Sequence, residues 1–107
     1  MTSEPCIGLL LAELHFPDNR SLKEKRRPLA SLRDSIRKRY QATFSEVGFQ
    51  ESWQRAEVLV VVAASSLTQA SEQVDDIDRF LHAHEFEVAR TTIKSAYPVH
   101  ALWPDDC

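Results

Sequence analysis

Glycine and cysteine are both scarce in this chain of 107 residues, which contains only two of each. A phosphate-binding loop and a nucleophile elbow both need glycines, because the backbone must approach a ligand closely or turn sharply there. The two cysteines, Cys6 and Cys107, lie near opposite ends of the chain and do not make a disulfide framework. We therefore expect the reducing environment of the cytoplasm.

Long apolar segments are also absent, and this absence argues against a membrane protein. The N-terminal apolar run is too short to span a bilayer and lacks the basic flank of a signal peptide. Hydrophobic residues make up 43% of the chain and charged residues 27%, which is typical of a folded soluble protein. The length predicts a single domain over residues 1–107, in which residues 98–107 can form a C-terminal tail.

Two helical patterns alternate with four extended apolar segments. The predicted strands cover residues 6–16, 43–49, 56–64 and 86–99, and the predicted helices cover residues 21–39 and 65–84. The first and third strands are apolar on both faces and are expected at the centre of the sheet. Each helix begins with a serine capping box. The order β-α-β-β-α-β predicts an α+β, ferredoxin-like split βαβ fold, with a four-stranded antiparallel sheet and two helices on one face.

Two residues of the first predicted helix conflict with its pattern. Pro28 has no N–H and clashes with the carbonyl four residues earlier, so we expect a kink or a restart there. Lys25 lies at the edge of the apolar face, where we expect only its aliphatic stem to be buried.

Positive charge is concentrated on the first helix, although the whole chain has a formal net charge of −3. Residues 20–39 hold nine of the thirteen Lys and Arg against two acidic side chains. At 100° per residue, one side strip that includes Ala30 carries four cations: Lys23, Arg26, Arg33 and Arg37. The second helix is acidic, and in this fold the two helices lie side by side. The basic strip therefore either pairs with the acidic helix or leaves a positive field for a polyanion such as RNA.

Residues 49–58 form a second distinctive segment, because they join the second and third predicted strands where a tight turn would suffice. Trp53 and Arg55 lie there among amide side chains. An exposed aromatic beside a guanidinium group can stack on an RNA base and hydrogen-bond to it. Alternatively, and as large aromatic residues favour, Trp53 is a buried lid over the end of the sheet, and Arg55 pairs with Glu51 or Glu57.

The sequence gives little support for catalysis or for a metal. The four histidines have no ligand spacing. The loop "FPDNRS" lies where ferredoxin-like acylphosphatases bind phosphate, yet it contains no glycine. Cys6 falls in a predicted buried strand and is expected to be an inert core thiol rather than a nucleophile. We expect no enzymatic activity, no metal, no cofactor and no small-molecule ligand.

The blocks "SLKEKRR" and "WQRA", at the separation found here, resemble the YlxP-like family of small uncharacterised bacterial proteins. The similar part extends from about Gly8 to Ser66. The resemblance implies a ferredoxin-like fold and no established activity, and the position of the family's genes among those for translation factors implies work with RNA or the ribosome. We expect a cytoplasmic RNA- or ribosome-associated binding module. Its candidate contacts are Lys23, Arg26, Arg33, Arg37, Trp53 and Arg55. The alternatives are a protein-interaction or structural module without a nucleic-acid role and, more distantly, a small hydrolase.

The two predicted central strands also raise the question of what covers the second face of the sheet. Because the helices cover only one face, the other would expose a contiguous apolar patch, which usually marks an interface. We expect a homodimer that packs sheet against sheet. The alternative is that the C-terminal tail folds under the sheet, with Leu102 and Trp103 as the cover.

Overall fold

The computed structural model describes residues 4–83 and 87–102. The elements in chain order are β1 (Cys6–His15), α1 (Leu22–Tyr40), β2 (Thr43–Gly48), β3 (Arg55–Ala64), α2 (Leu67–His82), β4 (Glu87–Pro98) and a 3₁₀ turn (Val99–Leu102). This is the predicted α+β ferredoxin-like arrangement, and each strand and helix boundary lies within two residues of its predicted position.

The sheet has four antiparallel strands in the order β2-β3-β1-β4. The prediction that the first and third strands are central is therefore confirmed, and β2 and β4 are the edges. Alternate residues of the central strands point toward the helices and are fully buried. The core contains Leu10, Ala12, Leu14, Val58, Val60 and Val62 from the strands, and Leu32, Ile36, Val74, Ile77 and Leu81 from the helices.

Helix α1 begins at a capping box, as predicted. The Ser21 hydroxyl accepts a hydrogen bond from the Glu24 N–H, and the Glu24 carboxylate accepts one from the Arg20 N–H at 2.7 Å. The predicted restart at Pro28 is wrong, because the helix is continuous through that residue. Leu29 and the apolar residues that follow it are buried against the sheet, and this packing holds the helix across the missing hydrogen bond.

Helix α2 packs closely against β1 at Gly8. A Cβ atom at this position would lie 2.4 Å from Cγ2 of Val74 and 3.2 Å from the carbonyl oxygen of Ala70. Only glycine allows this approach without a shift of the helix. The contact holds the acidic helix close against β1.

The C-terminal tail is described only as far as Leu102. The N–H of Val99 donates a hydrogen bond to the Pro5 carbonyl at 2.8 Å, and all four residues of the 3₁₀ turn are exposed. Leu102 is 50% exposed and does not support the alternative in which the tail covers the sheet, and Trp103 lies outside the described residues. Within residues 4–83 and 87–102, no helix combines the length and apolar character needed to cross a membrane.

Candidate nucleic-acid interface

The four cations predicted to share one side of α1 are all exposed. Lys23, Arg26, Arg33 and Arg37 follow one another at helical spacing and form what we call the basic strip. Fourteen residues separate its ends, which corresponds to about 21 Å at 1.5 Å per residue. The strip ends in the last turn of the helix, where positive side chains are also favoured by the exposed carbonyl groups.

The basic strip borders two adjoining depressions. The first, of about 520 Å³, lies between α1 and the edge strand β2, and is lined by Arg26, Leu29, Ala30, Arg33, Phe44, Ser45 and Glu46. The second, of about 780 Å³, lies at the beginning of α1, and is lined by Asn19, Lys23, Glu24, Arg26, Arg27 and Ala30. Arg26 and Ala30 line both, so one continuous concave surface runs beside the strip. The predicted placement of Ala30 among the cations is confirmed.

Helix α2 does not neutralise the basic strip. Among the described residues, no ion pair joins α1 to α2, and the one strip cation in an ion pair is Arg33, whose Nε lies 3.5 Å from Oδ1 of Asp34. Three of the α2 carboxylates have partners elsewhere. Asp75 and Asp78 form ion pairs with Lys94 of β4, Asp76 forms one with Arg79, and the His82 Nδ1 lies 3.4 Å from Oδ1 of Asp78.

The pairing with β4 draws the acidic charge of α2 away from α1. The Lys94 Nζ lies 3.1 Å from Oδ1 of Asp75, and this hydrogen bond raises the pKa of Lys94. The two helices instead meet through rings at the end of α1. The Arg39 guanidinium lies 4.5 Å from the centre of the Phe80 ring, and the Tyr40 ring meets Phe80 edge-on at 5.9 Å. The expected electrostatic pairing between the helices is therefore not part of the described structure.

Lys25 has a role that the sequence pattern did not reveal. The whole side chain is buried, with 2% exposure, rather than its stem alone. Its Nζ donates hydrogen bonds to the carbonyl oxygens of Phe49 at 3.0 Å and Arg55 at 3.1 Å, and lies 2.8 Å from Oε2 of Glu46. A third carbonyl, that of Gln50, is 3.5 Å away. One lysine of α1 thus holds both ends of the β2–β3 loop.

Gln54 fixes the same loop from the other side. Its side-chain Nε2 donates hydrogen bonds to the carbonyl oxygens of Pro17 at 3.1 Å and Asn19 at 3.3 Å. Its backbone carbonyl accepts a hydrogen bond from the Phe16 N–H at 2.8 Å. These bonds hold the β2–β3 loop beside the loop that precedes α1. The β2–β3 loop and the beginning of the basic strip therefore lie at the same end of the molecule.

Trp53 is exposed at the tip of this loop, so the favoured prediction of a buried lid is wrong. Its exposed fraction is 53%, and it lines a shallow depression of about 410 Å³ with Glu51, Ser52 and Gln54. The end of the sheet is closed instead by the hydrogen bonds of Lys25 and Gln54 to backbone carbonyls. The indole is consequently free to meet a ligand.

The guanidinium group of Arg55 has two partners within the protein. Its Nε donates a hydrogen bond to Oε1 of Glu13 at 2.8 Å, and its guanidinium carbon lies 3.9 Å from the centre of the Phe49 ring. An ion pair was expected, but with Glu51 or Glu57, and both predicted partners are wrong. The pairing of β3 with β1 brings Glu13 into reach. The hydrogen bond from Arg55 lowers the pKa of Glu13.

Cys6 lies in the interior at the start of β1, as predicted. It is 2% exposed and forms no disulfide among the described residues, and burial raises the pKa of its thiol. A raised pKa keeps the sulfur protonated and unreactive at neutral pH, which fits a core side chain.

Comparison with known proteins identifies relatives without a described activity. Residues 7–94 match the family model described as Protein of unknown function (DUF503). Over 91 residues the chain is 28% identical to Uncharacterized protein YlxP of Bacillus subtilis (strain 168), and the alignment covers 85% of this chain and 98% of that protein. The predicted YlxP-like resemblance is confirmed, and the fold and surface remain the basis for any functional conclusion.

Proposed function

Since the chain belongs to the DUF503 family of proteins of unknown function, we propose its function from the geometry: it binds RNA through the basic strip and Trp53. The observation that carries this proposal is the separation of charge between the helices. The strip cations are exposed, while Asp75 and Asp78 of α2 are directed to Lys94 of β4 and Asp76 is directed to Arg79 of α2 itself. In this proposal the protein is a cytoplasmic binding module without a catalytic step.

The chemistry of the strip suits a phosphate backbone. Lysine and arginine side chains on one side of the helix, at intervals of three, seven and four residues, offer a row of donors, and each phosphate they neutralise releases counterions. The concave surface between α1 and β2 gives a strand of RNA, free or exposed on a ribosome, a place beside that row. Contacts of this kind position the nucleic acid without selecting a sequence.

Trp53 supplies the second component, a surface for stacking. Exposed aromatic side chains bind single-stranded bases by stacking, with a free-energy contribution of about 1–3 kcal/mol per base. The Lys25 and Gln54 hydrogen bonds hold the loop, so little ordering is required when a base binds. Arg55 is left out of the interface, because Glu13 and Phe49 already occupy its guanidinium.

The proposal is tested by binding of labelled single-stranded RNA of mixed sequence over a series of salt concentrations. Neutralising the whole strip (Lys23→Gln, Arg26→Gln, Arg33→Gln, Arg37→Gln) should weaken binding. It should also reduce the slope of the logarithm of the binding constant against the logarithm of the salt concentration by roughly 0.7 for each lost contact. Trp53→Ala should weaken binding without flattening this slope and should leave the free energy of unfolding nearly unchanged, because the indole is 53% exposed.

A charge-matched control separates the strip from the effect of net charge. Lys23→Gln with Arg33→Gln removes the same charge as Arg79→Gln with Arg90→Gln, and the latter pair lies on α2 and β4. Only the first pair should reduce RNA affinity. Equal effects of the two pairs, or unchanged affinity in the fourfold variant, would refute RNA binding by the strip and leave a protein-interaction module as the function to pursue.

A further inference from the structure

The face of the sheet opposite the helices carries a block of apolar side chains at one end. Strand pairing arranges these side chains in rows that cross the sheet. The first row is Ser45, Leu59, Leu11 and Ile93; the second is Thr43, Val61, Leu9 and Ser95; the third is Ala63, Ile7 and Tyr97. Ile93 is 46% and Tyr97 38% exposed, which is unusual for large apolar side chains without a partner.

The opposite end of the same face is charged. Glu13, His15, Arg55 and Glu57 follow the apolar rows along the two central strands, and Arg90 lies beside Glu13. Glu13 is hydrogen-bonded to both Arg55 and His15, so part of the charge at this end is paired within the chain. The apolar end has no cation or carboxylate in its three rows, and it therefore does not suit a nucleic acid or a charged peptide.

We propose that a second copy of this chain covers the face, with the two sheets packed against each other about a two-fold axis parallel to the strands. Rotation about this axis places apolar end over apolar end. A two-fold axis perpendicular to the strands, in the same plane and through the middle of the sheet, would place each apolar end over a charged end. Isologous pairs of this kind are the commonest assembly of soluble proteins, and sheets that face each other align within about 30°.

The central strands are complementary under this rotation. With the axis between β1 and β3, each row lies over the same row of the partner in reverse order, so β1 of one copy covers β3 of the other. The larger side chains Ile7 and Leu9 then lie over the smaller Ala63 and Val61. Alternation of large and small side chains across facing positions is what allows two layers to interdigitate.

The area of the three apolar rows suits a weak dimer. The rows span about six residues of each strand across four strands, roughly 20 by 19 Å, or roughly 400 Å² per copy. Two copies would therefore bury on the order of 800 Å² in total, below the standard size of stable protein interfaces. We expect a weak dimer that dissociates in the micromolar range. Because the basic strip is on the helices' side, RNA binding and dimer formation can be tested separately.

The test measures molar mass by light scattering over a range of concentrations from about 1 to 200 μM. The full chain should move from 12.2 kDa toward twice that mass. Ile93→Glu should shift the midpoint to at least tenfold higher concentration, because it buries a carboxylate in the interface. Leu67→Glu is the matched control, since Leu67 is 47% exposed but lies on α2 on the other side of the sheet. Circular dichroism checks that each variant is folded.

A double variant with opposite charges at two facing positions tests the direction of the axis. In the proposed geometry position 45 of one copy lies over position 93 of the other, so Ser45→Lys combined with Ile93→Glu should recover at least part of the lost association. Three interstrand spacings, about 14 Å, separate the two positions within one chain, which excludes an ion pair inside a copy.

Four outcomes would overturn the proposal. A monomer at 200 μM refutes the dimer. A dimer that tolerates Ile93→Glu, or one that Leu67→Glu disrupts equally, refutes this face as the interface. A folded double variant without recovery refutes the parallel axis.

Discussion

Replacement of Lys25 by methionine is the most informative perturbation of this fold. The substitution keeps most of the aliphatic stem but removes the ammonium group that contacts the carbonyl oxygens of Phe49 and Arg55 and the carboxylate of Glu46. The carbonyls then lose a charged donor in a site where water has little access, since Lys25 is 2% exposed. Both ends of the β2–β3 loop lose their attachment to α1 at once.

The expected loss of stability follows from the number and burial of the groups left unpaired. Removing one member of a buried ion pair costs about 3–5 kcal/mol, because the other member stays desolvated without compensation. Glu46 keeps a side-chain exposure of 25%, so hydration recovers part of this loss. We therefore expect the free energy of unfolding to fall by about 3 kcal/mol, a large part of the roughly 5–15 kcal/mol that stabilises a typical domain.

Denaturant unfolding followed by circular dichroism measures this loss, and Lys38→Met is the control, because Lys38 is exposed on the same helix. Hydrogen exchange adds a local measurement: the Ser52 N–H, which donates to the Phe49 carbonyl, should exchange faster in the Lys25→Met variant. A cycle with Glu46→Gln should show coupling of at least about 1 kcal/mol. A loss below about 1 kcal/mol, or additive effects in the cycle, would show that the buried ammonium does not hold the loop.

Two further predictions concern the sheet. Gly8→Ala should lower the free energy of unfolding by about 1–3 kcal/mol through overpacking. Val74→Ala should relieve part of that loss, since Val74 Cγ2 is the atom that the new methyl group would meet first. If the two effects on denaturant unfolding simply add, this steric explanation is contradicted. Because the Arg55 hydrogen bond lowers the folded-state pKa of Glu13 below 4.5, its stabilisation is present above pH 4.5 and is lost as the pH falls through the folded-state value. Stability measured against pH should therefore fall less steeply in acid for Glu13→Gln than for the natural chain, and identical acid limbs would contradict the pairing.

The secondary structure and the position of the basic strip could be predicted because both depend on local periodicity. The apolar strands, the serine caps and the helical spacing from Lys23 to Arg37 are patterns of neighbouring residues, and the structure reproduces them. Lys25 also had a local signal, since it occupies a position of the apolar face between Leu22 and Leu29. The general tendency of lysine to keep its ammonium in water led to the wrong expectation.

The errors in the candidate site arise from contacts between distant parts of the chain. Arg55 pairs with Glu13, 42 positions away, and Lys25 reaches a carbonyl 30 positions away. Such partners depend on strand register and on how a helix lies over a loop, which the spacing of residues 49–58 does not contain. The Lys25 contacts, together with the hydrogen bonds of Gln54, close the end of the sheet, and this is why Trp53 is not required there and remains exposed.

The two helices carry net charge of opposite sign, and this separation affects how the molecule meets other molecules. At physiological ionic strength the screening length is about 8 Å, shorter than the basic strip. A polyanion near α1 therefore responds to the strip rather than to the net charge of −3. The field of an approaching polyanion would exert a torque that turns α1 toward it and α2 away. Encounters would then be orientation-selective before any contact forms. The association rate with a polyanion should fall as salt is added, whereas the net negative charge alone would predict that it rises.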